Sequence, residues 1–282
     1  MMASRPFNKT ALPTVLTYLG LAVGLVFADF PILWMLFTSL KSNTEIFALP
    51  PRMLPEEFTL VAYRSIFNDP TKVRFFINSY LVAGVVAVLT VLVAILTAYA
   101  FSRYSFKGKN TLNVFIISTQ TVPPITLLIP YFGMVVAFRI FDTYFALILT
   151  YLVFTLPYAV LLMTGYLNTL PKELDEAVLV DGGSSWTALW RVIVPLSVPG
   201  IVATAVYTFL LAWNEFLFAL TLTKSMEMRT VPIGIELLMG QHAFEWNEMM
   251  AMSVLGSLPL LILYLFAQRY FLAGMTAGSV KS

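Results

Sequence analysis

A chain of 282 residues that is 59% hydrophobic and only 11% charged, against about 25% charged in soluble domains, is not an ordinary water-soluble globule. A net charge of +2 with no basic cluster beyond three residues excludes a nucleic-acid-binding surface. The absence of cysteine excludes disulfides, thiolate metal sites and cysteine nucleophiles. With a mean hydropathy of +0.83 and 23 Phe, 13 Tyr and 5 Trp to meet lipid and its interfaces, the composition specifies an all-α, polytopic membrane protein.

Residues 1–10 are polar and carry Arg5 and Lys9. The apolar stretch behind them is far longer than a signal-peptide core, so it reads as a retained first membrane helix over 11–40. Asp29-Phe30-Pro31 interrupts it and predicts a kink. Asp29 is either a functional intramembrane acid or a group satisfied locally at a packed or wet position. Residues 41–74 form a polar loop with Pro50, Pro51 and Pro55, in which Phe58 to Phe67 suits a short interfacial helix. The second span covers 75–101. The turn after it, Ser102 to Lys109, holds Arg103, Lys107 and Lys109 and no acid, which marks a cytoplasmic side and puts both termini there.

The third span, 112–138, contains Pro123, Pro124 and Pro130. Prolines free backbone carbonyls, which a membrane tolerates beside packed neighbours or a water-lined cavity. The span is therefore either a kinked packing helix or part of a translocation path lined by Gln120, Thr121 and Tyr131. A fourth span, 143–167, leads to a charged loop, 168–197. The fifth span, 198–222, carries Asn214 and Glu215; a glutamate there faces protein or water, as a substrate contact or as a hydrogen-bond anchor. The lone His242 lies in a mixed loop, 223–250, and has no second ligand type nearby. The sixth span covers 251–271.

The loop at 168–197 is the informative stretch. Pro171 and the acids after it suit the first turn of a helix. Leu174, Ala177 and Val178 then share a face that Asp181 closes. Gly182-Gly183 stops this helix, Ser184 or Ser185 caps a second short one, and Pro195 terminates that. No stretch fits Gly-x-x-x-x-Gly-Lys-Ser/Thr, His-Glu-x-x-His or Gly-x-Ser-x-Gly, so the chain is expected not to be an enzyme and to hold no metal or cofactor itself. A stand-alone secondary transporter is the alternative class, though no internal repeat is evident.

Glu176-Ala177-x-x-x-Asp181-Gly182, with Ile193-Val194-Pro195 and Pro199 behind it, resembles the EAA loop of binding-protein-dependent ABC importer permeases. Val178 stands where a second alanine is usual and Gly183 where alanine is common. Thr38 to Lys41 with Pro50 and Phe58-Thr59-Leu60, Asn78-Ser79, Ala98 to Arg103 with Phe106 to Lys109, Ala212 to Phe216, and the closing Gly274 to Lys281 look like the carbohydrate-uptake permeases of that family. The likeness is collinear over nearly the whole chain and similar to the maltose transporter's six-helix permease subunit.

It implies one permease domain over 1–282, with six transmembrane helices and a cytoplasmic EAA-type coupling helix between the fourth and fifth. It implies three kinds of partner in a bacterial or archaeal cytoplasmic membrane: a second homologous permease, two ATPase subunits that carry ATP and Mg, and an extracytoplasmic sugar-binding protein. Glu176, Ala177, Val178, Asp181, Gly182 and Gly183 become the ATPase contact, with the Gly274–Lys281 tail as a second contact. Gln120, Tyr131, Asn214 and Glu215 remain candidate path residues. The transported solute is expected to be a di- or oligosaccharide, the alternative being a polyol or glycerol phosphate.

Overall fold

The computed structural model describes residues 11–240 and 245–279, and side chains at 14, 16–240 and 245–268. Arg5, Lys9, His242, Val280 and Lys281 lie outside the described residues. Contacts divide the chain into two compact units, residues 1–68 with 238–255, and residues 69–237 with 256–282.

In the first unit, helix α1 (Ala11–Ser39) runs unbroken through Pro31. Its side chains, the carboxylate of Asp29 among them, are exposed until the last turns. There Thr38, Ser39 and Lys41 are buried. Lys41 Nζ donates to the carbonyl of Arg52 and sits 5.5 Å from the Trp34 ring centroid, so its charge is held by a dipole and a π face. The loop expected over 41–74 contains one turn, α2 (Asn43–Ile46), capped by Ser42, and the short helix α3 (Val61–Asn68). Helix α3 buries Ala62 and Ile66, and its Tyr63 hydroxyl pairs with Ser39 Oγ at 2.7 Å.

The second unit is built on α4 (Pro70–Arg103), about 50 Å long at 1.5 Å per residue. It starts five residues before the span expected at 75, because Asp69 caps it by accepting the Thr71 N–H and Pro70 suits the first helical position. The paired helix α5 (Lys109–Thr119) and α6 (Leu128–Ala137) replace the single span expected over 112–138. They meet at 94°, since neither Pro123 nor Pro124 can donate to a helix ladder and Pro123 is extended. Helix α7 (Tyr144–Leu167) is capped by Thr143 and passes through Pro157 without a break.

Helices α8 (Glu173–Val180), α9 (Ser185–Ala188) and α10 (Val194–Leu196) form the loop region, a π turn at Leu189–Ile193 joining the last two. The second limb therefore runs past Pro195, which had been expected to end it; the wide π turn lets the proline in, and the bend of 76° comes at Ser197. Helix α11 (Val198–Trp213) follows, and the span expected over 198–222 is broken at Asn214–Phe216 before α12 (Leu217–Leu222) resumes. After α13 (Val231–Leu237), the last helix α14 (Trp246–Ser279) is longer at both ends than the 251–271 expected. Among the described residues four helices are long and apolar enough to cross a membrane, and up to six spans result if each bent pair counts as one.

Helices α4, α7 and α11 pack on one another. Between membrane helices the gain comes from close packing rather than from expelling water, which favours small residues at the contact. Ala94 and Ala98 on α4, four residues apart, meet Ala159 and Met163 on α7, all fully buried. Thr90 and Thr155 add a buried hydroxyl pair at 2.9 Å, worth about 0.6 kcal/mol.

Candidate functional site

Helix α8 is eight residues, about 12 Å, with Glu173, Asp175 and Glu176 in its first turn against the positive end of its dipole. One of the three acids differs from the others. Asp175 is buried, with its Oδ2 at 2.7 Å from Arg103 Nε and its Oδ1 accepting from the Tyr99 hydroxyl at 2.6 Å. The Tyr99 hydroxyl also faces the Ser185 carbonyl at 3.3 Å. Arg103 Nη1 donates to the carbonyls of Leu167 and Leu170, both at 3.2 Å. One guanidinium thus closes the C-terminal end of α4, caps the last carbonyl of α7 and holds the side chain of α8. A cation suits that position, because two helix C-termini converge on it.

The six loop residues expected to form a contact separate into two groups. Glu176, Ala177, Asp181 and Gly182 are exposed. Val178 and Gly183 turn inward against each other: a Cβ at Gly183 would lie 2.6 Å from Val178 Cγ1, and the Gly183 N–H donates to the Val178 carbonyl at 2.8 Å. Gly182 has φ +82°, the left-handed conformation that closes a helix. The face expected from Leu174, Ala177 and Val178 is instead Leu174, Asp175 and Val178, with Leu174 packed on the core. Leu179, Val180 and Trp186 point outward, Val180 at 86% exposure, and the Trp186 and Trp190 rings meet edge to face at 5.8 Å.

Tyr99, Arg103 and Asp175 were absent from the sequence-based set. Tyr99 and Arg103 had counted only within the Ala98–Arg103 stretch of the family resemblance, and Arg103 also as a cation of the acid-free turn. The usable signal was an aspartate on the apolar stripe 174–175–178 of an amphipathic helix, where a solvated charge does not belong.

The path candidates divide as well. Tyr131 on α6 is half-buried, its ring 5.7 Å from Phe154 and 5.8 Å from Phe218. Glu215 accepts the N–H groups of Phe218 at 2.8 Å and Ala219 at 3.0 Å and so caps α12, the anchoring one of its two readings. Tyr131 and Glu215 therefore flank the same helix start. Asn214 is exposed, and its side-chain amide at 2.9 Å and its own backbone N–H at 3.1 Å both donate to the Leu210 carbonyl where α11 stops. Gln120 and Thr121 are exposed at the α5–α6 bend, and among the described residues no hydrogen bond or ring contact joins Gln120 to the other three. Nearby on α7 and α11, Tyr158 and Tyr207 stack at 4.1 Å.

Away from this region, Asp142 accepts backbone N–H groups of Lys224 at 2.8 Å and Ser225 at 3.1 Å. Burial pushes its carboxyl upward, but those hydrogen bonds and the charge of Arg229 outweigh burial and hold it below the ordinary aspartate value. Among the described residues no group of His, Asp and Glu could hold a metal ion. The backbone of the tail is helical to Ser279, while its side chains lie outside the described residues.

Comparison with known proteins places this geometry. Residues 90–277 match the family described as binding-protein-dependent transport system inner membrane component. The chain is 38% identical to the inner membrane ABC transporter permease protein YcjP of Escherichia coli, over 97% of this chain and 99% of that one. It is 35% identical to the trehalose/maltose transport system permease protein MalG of Thermococcus litoralis, again over 97% and 99%. Its fold is similar to that of a chain in the crystal structure of a bacterial ABC transporter involved in import of the acidic polysaccharide alginate. The TM-score is 0.81, with 19% identity, over 95% of this chain and 100% of that chain. The chain belongs to the binding-protein-dependent transport system inner membrane components, the permease family of ABC transporters.

Proposed function

We propose that this chain is the permease subunit of an ATP-driven importer that moves a sugar, a di- or oligosaccharide, across the cytoplasmic membrane by alternating access. Family membership supports the permease role, and the names of relatives that carry trehalose, maltose and alginate support the substrate class. In this reading the chain pairs with a second homologous permease, two ATPase subunits carrying ATP and Mg, and an extracytoplasmic binding protein. Both termini and α8 are cytoplasmic.

The observation that carries the reading is the form of α8. It is a short helix with an acidic first turn, closed by Gly182 at positive φ, which presents Leu179 and Val180 to solvent with Trp186 just beyond. Apolar side chains standing out beside charges suit insertion into a groove of another protein. Glu176, Ala177, Asp181 and Gly182 are the exposed contact residues, and Val178 and Gly183 shape the turn from inside. ATP binding draws the two coupling helices of the permease pair together and opens the path outward; hydrolysis resets it. Tyr131, Asn214, Glu215 and Gln120 are proposed to border the path.

Gly182→Asp tests this. It puts a side chain at a left-handed residue and a negative charge at a helix C-terminus. Sugar uptake and ATPase co-purification should both fall while the permease still inserts. Normal uptake with normal ATPase association would make the loop a plain connector and bring the secondary-transporter alternative forward.

A further inference from the structure

We propose that Asp175, Arg103 and Tyr99 form the joint that passes movement of α8 to the membrane helices, so that Asp175 is a positioning residue for energy coupling and not only a fold contact. The inference rests on the reading of α8 as the ATPase-facing helix.

Little else ties α8 to the membrane helices. Of its eight residues only Asp175 is buried; Leu174 and Val178 are half-buried and the remaining five are exposed. A helix attached by two aliphatic side chains could slide or roll at small cost, because apolar contacts are not directional. The carboxylate of Asp175 removes that freedom. Its two oxygens are engaged by different groups, Arg103 Nε on one and the Tyr99 hydroxyl on the other, at 2.7 and 2.6 Å. The Tyr99 bond is directional, and although neither Arg103 Nε nor Asp175 Oδ2 makes a hydrogen bond, each buried charge is costly without the other, so the carboxylate is tied to both side chains at once.

The other side of the joint is equally defined. Tyr99 and Arg103 stand one turn apart on the last turns of α4, the helix on which α7 and α11 pack. Arg103 also holds Leu167 and Leu170 at the end of α7, and Tyr99 reaches the Ser185 carbonyl at the start of α9. A displacement applied to the exposed face of α8 is thus delivered to α4 and α7 together. A neutral contact would have served to hold the loop. An ion pair in a nearly dry position adds a fixed relative placement, which coupling requires.

The test uses the complete transporter, with its partner permease, ATPase and binding protein, in liposomes, and reads sugar moved per ATP hydrolysed. Asp175→Asn keeps the shape and an acceptor for Tyr99 but removes the charge. It should assemble with its ATPase and lower sugar moved per ATP about tenfold, the scale of a typical coupling factor. Asp175→Glu and Tyr99→Phe should give smaller losses of the same ratio. Unchanged sugar per ATP in Asp175→Asn, or uptake and hydrolysis falling together in proportion to assembled complex, would overturn the proposal.

A second measurement does not depend on those variants. The chain has no cysteine, so spin labels at Leu96→Cys and Glu173→Cys, both exposed positions outside the proposed ATPase contact, report the α4–α8 distance without background from this subunit. That distance should stay constant between nucleotide-free and ATP-bound states; a shift on ATP binding would show α8 moving apart from α4 and refute the joint. A wild-type chain that binds no ATPase would fail the underlying reading instead.

Discussion

The two ends of α4 are both held by buried polar side chains, yet with different chemistry. At one end Asn78, fully buried, donates to the carbonyls of Glu227 and Arg229, both at 2.7 Å, and accepts from the Tyr144 hydroxyl at 2.7 Å. Its neighbour Ser79 accepts the Val231 N–H at 2.9 Å. At the other end the contact is the Arg103–Asp175 ion pair. A neutral amide satisfied by backbone groups stabilises a loop at modest desolvation cost and leaves no charge stranded if the loop opens. A buried ion pair is a poorer way to gain stability, since desolvation offsets much of the attraction, but it dictates one geometry. At the Asn78 end the chain fastens a loop with an amide, and at the Arg103 end it fastens a helix with charge.

Three measurements break or sharpen that contrast. The largest effect belongs to Arg103→Met, which strands the Asp175 carboxylate. Stability in mild detergent should drop by about 3–5 kcal/mol, seen as a lower unfolding temperature. The double variant Arg103→Met with Asp175→Leu should regain most of it, because no charge remains unpaired, yet sugar uptake should stay low. If uptake returned with stability, the ion pair would be a fold contact like Asn78. Next comes Asn78→Ala, expected to cost about 2 kcal/mol through the carbonyls it abandons. Sugar moved per ATP should be unchanged in that variant, and a fall in the ratio would erase the distinction between the ends.

The smallest effect concerns Asp142, which also fastens a loop through backbone N–H groups but with a charge. Its folded pKa lies below the value of about 3.9 for an unfolded aspartate. Its stabilising contribution is therefore present above roughly pH 4 and lost as pH falls through the lower, folded value. The gap in unfolding temperature between the wild-type chain and Asp142→Asn should be constant near neutrality and shrink below pH 4. A gap that held steady down to pH 3 would remove the charge from the account.

How much of this was legible from residues alone varied with the physics involved. The span over 143–167 emerged within one residue of α7, because long apolar runs and a Thr143 cap are local signals. The EAA-like helix and its Gly182 stop were also local, and α8 forms where the acids and the glycine require. The Pro123-Pro124 pair signalled trouble in the third span, though a kink was expected where the chain turns by 94°. The break at Asn214–Phe216 was missed, since hydropathy reads across it; it exists because Glu215 caps α12 with its own carboxylate. Glu215 had two readings, and the difference between them was a pair of backbone N–H groups that no spacing rule reveals.

Sequence by itself determined the class, the apolar spans and the family, because each depends on composition or on patterns within about 30 residues. It also placed the short charged helix at Glu173–Val180 and its glycine stop, whose signals are short-range. Only tertiary structure decided which acid of the loop is buried and paired. Glu173, Asp175 and Glu176 look alike in sequence, and their difference comes from Tyr99 and Arg103, more than 70 residues away, arriving at Asp175 from the end of another helix. Burial and pairing are properties of that meeting, and they turn one of three acidic side chains from a solvated charge into a fixed attachment point.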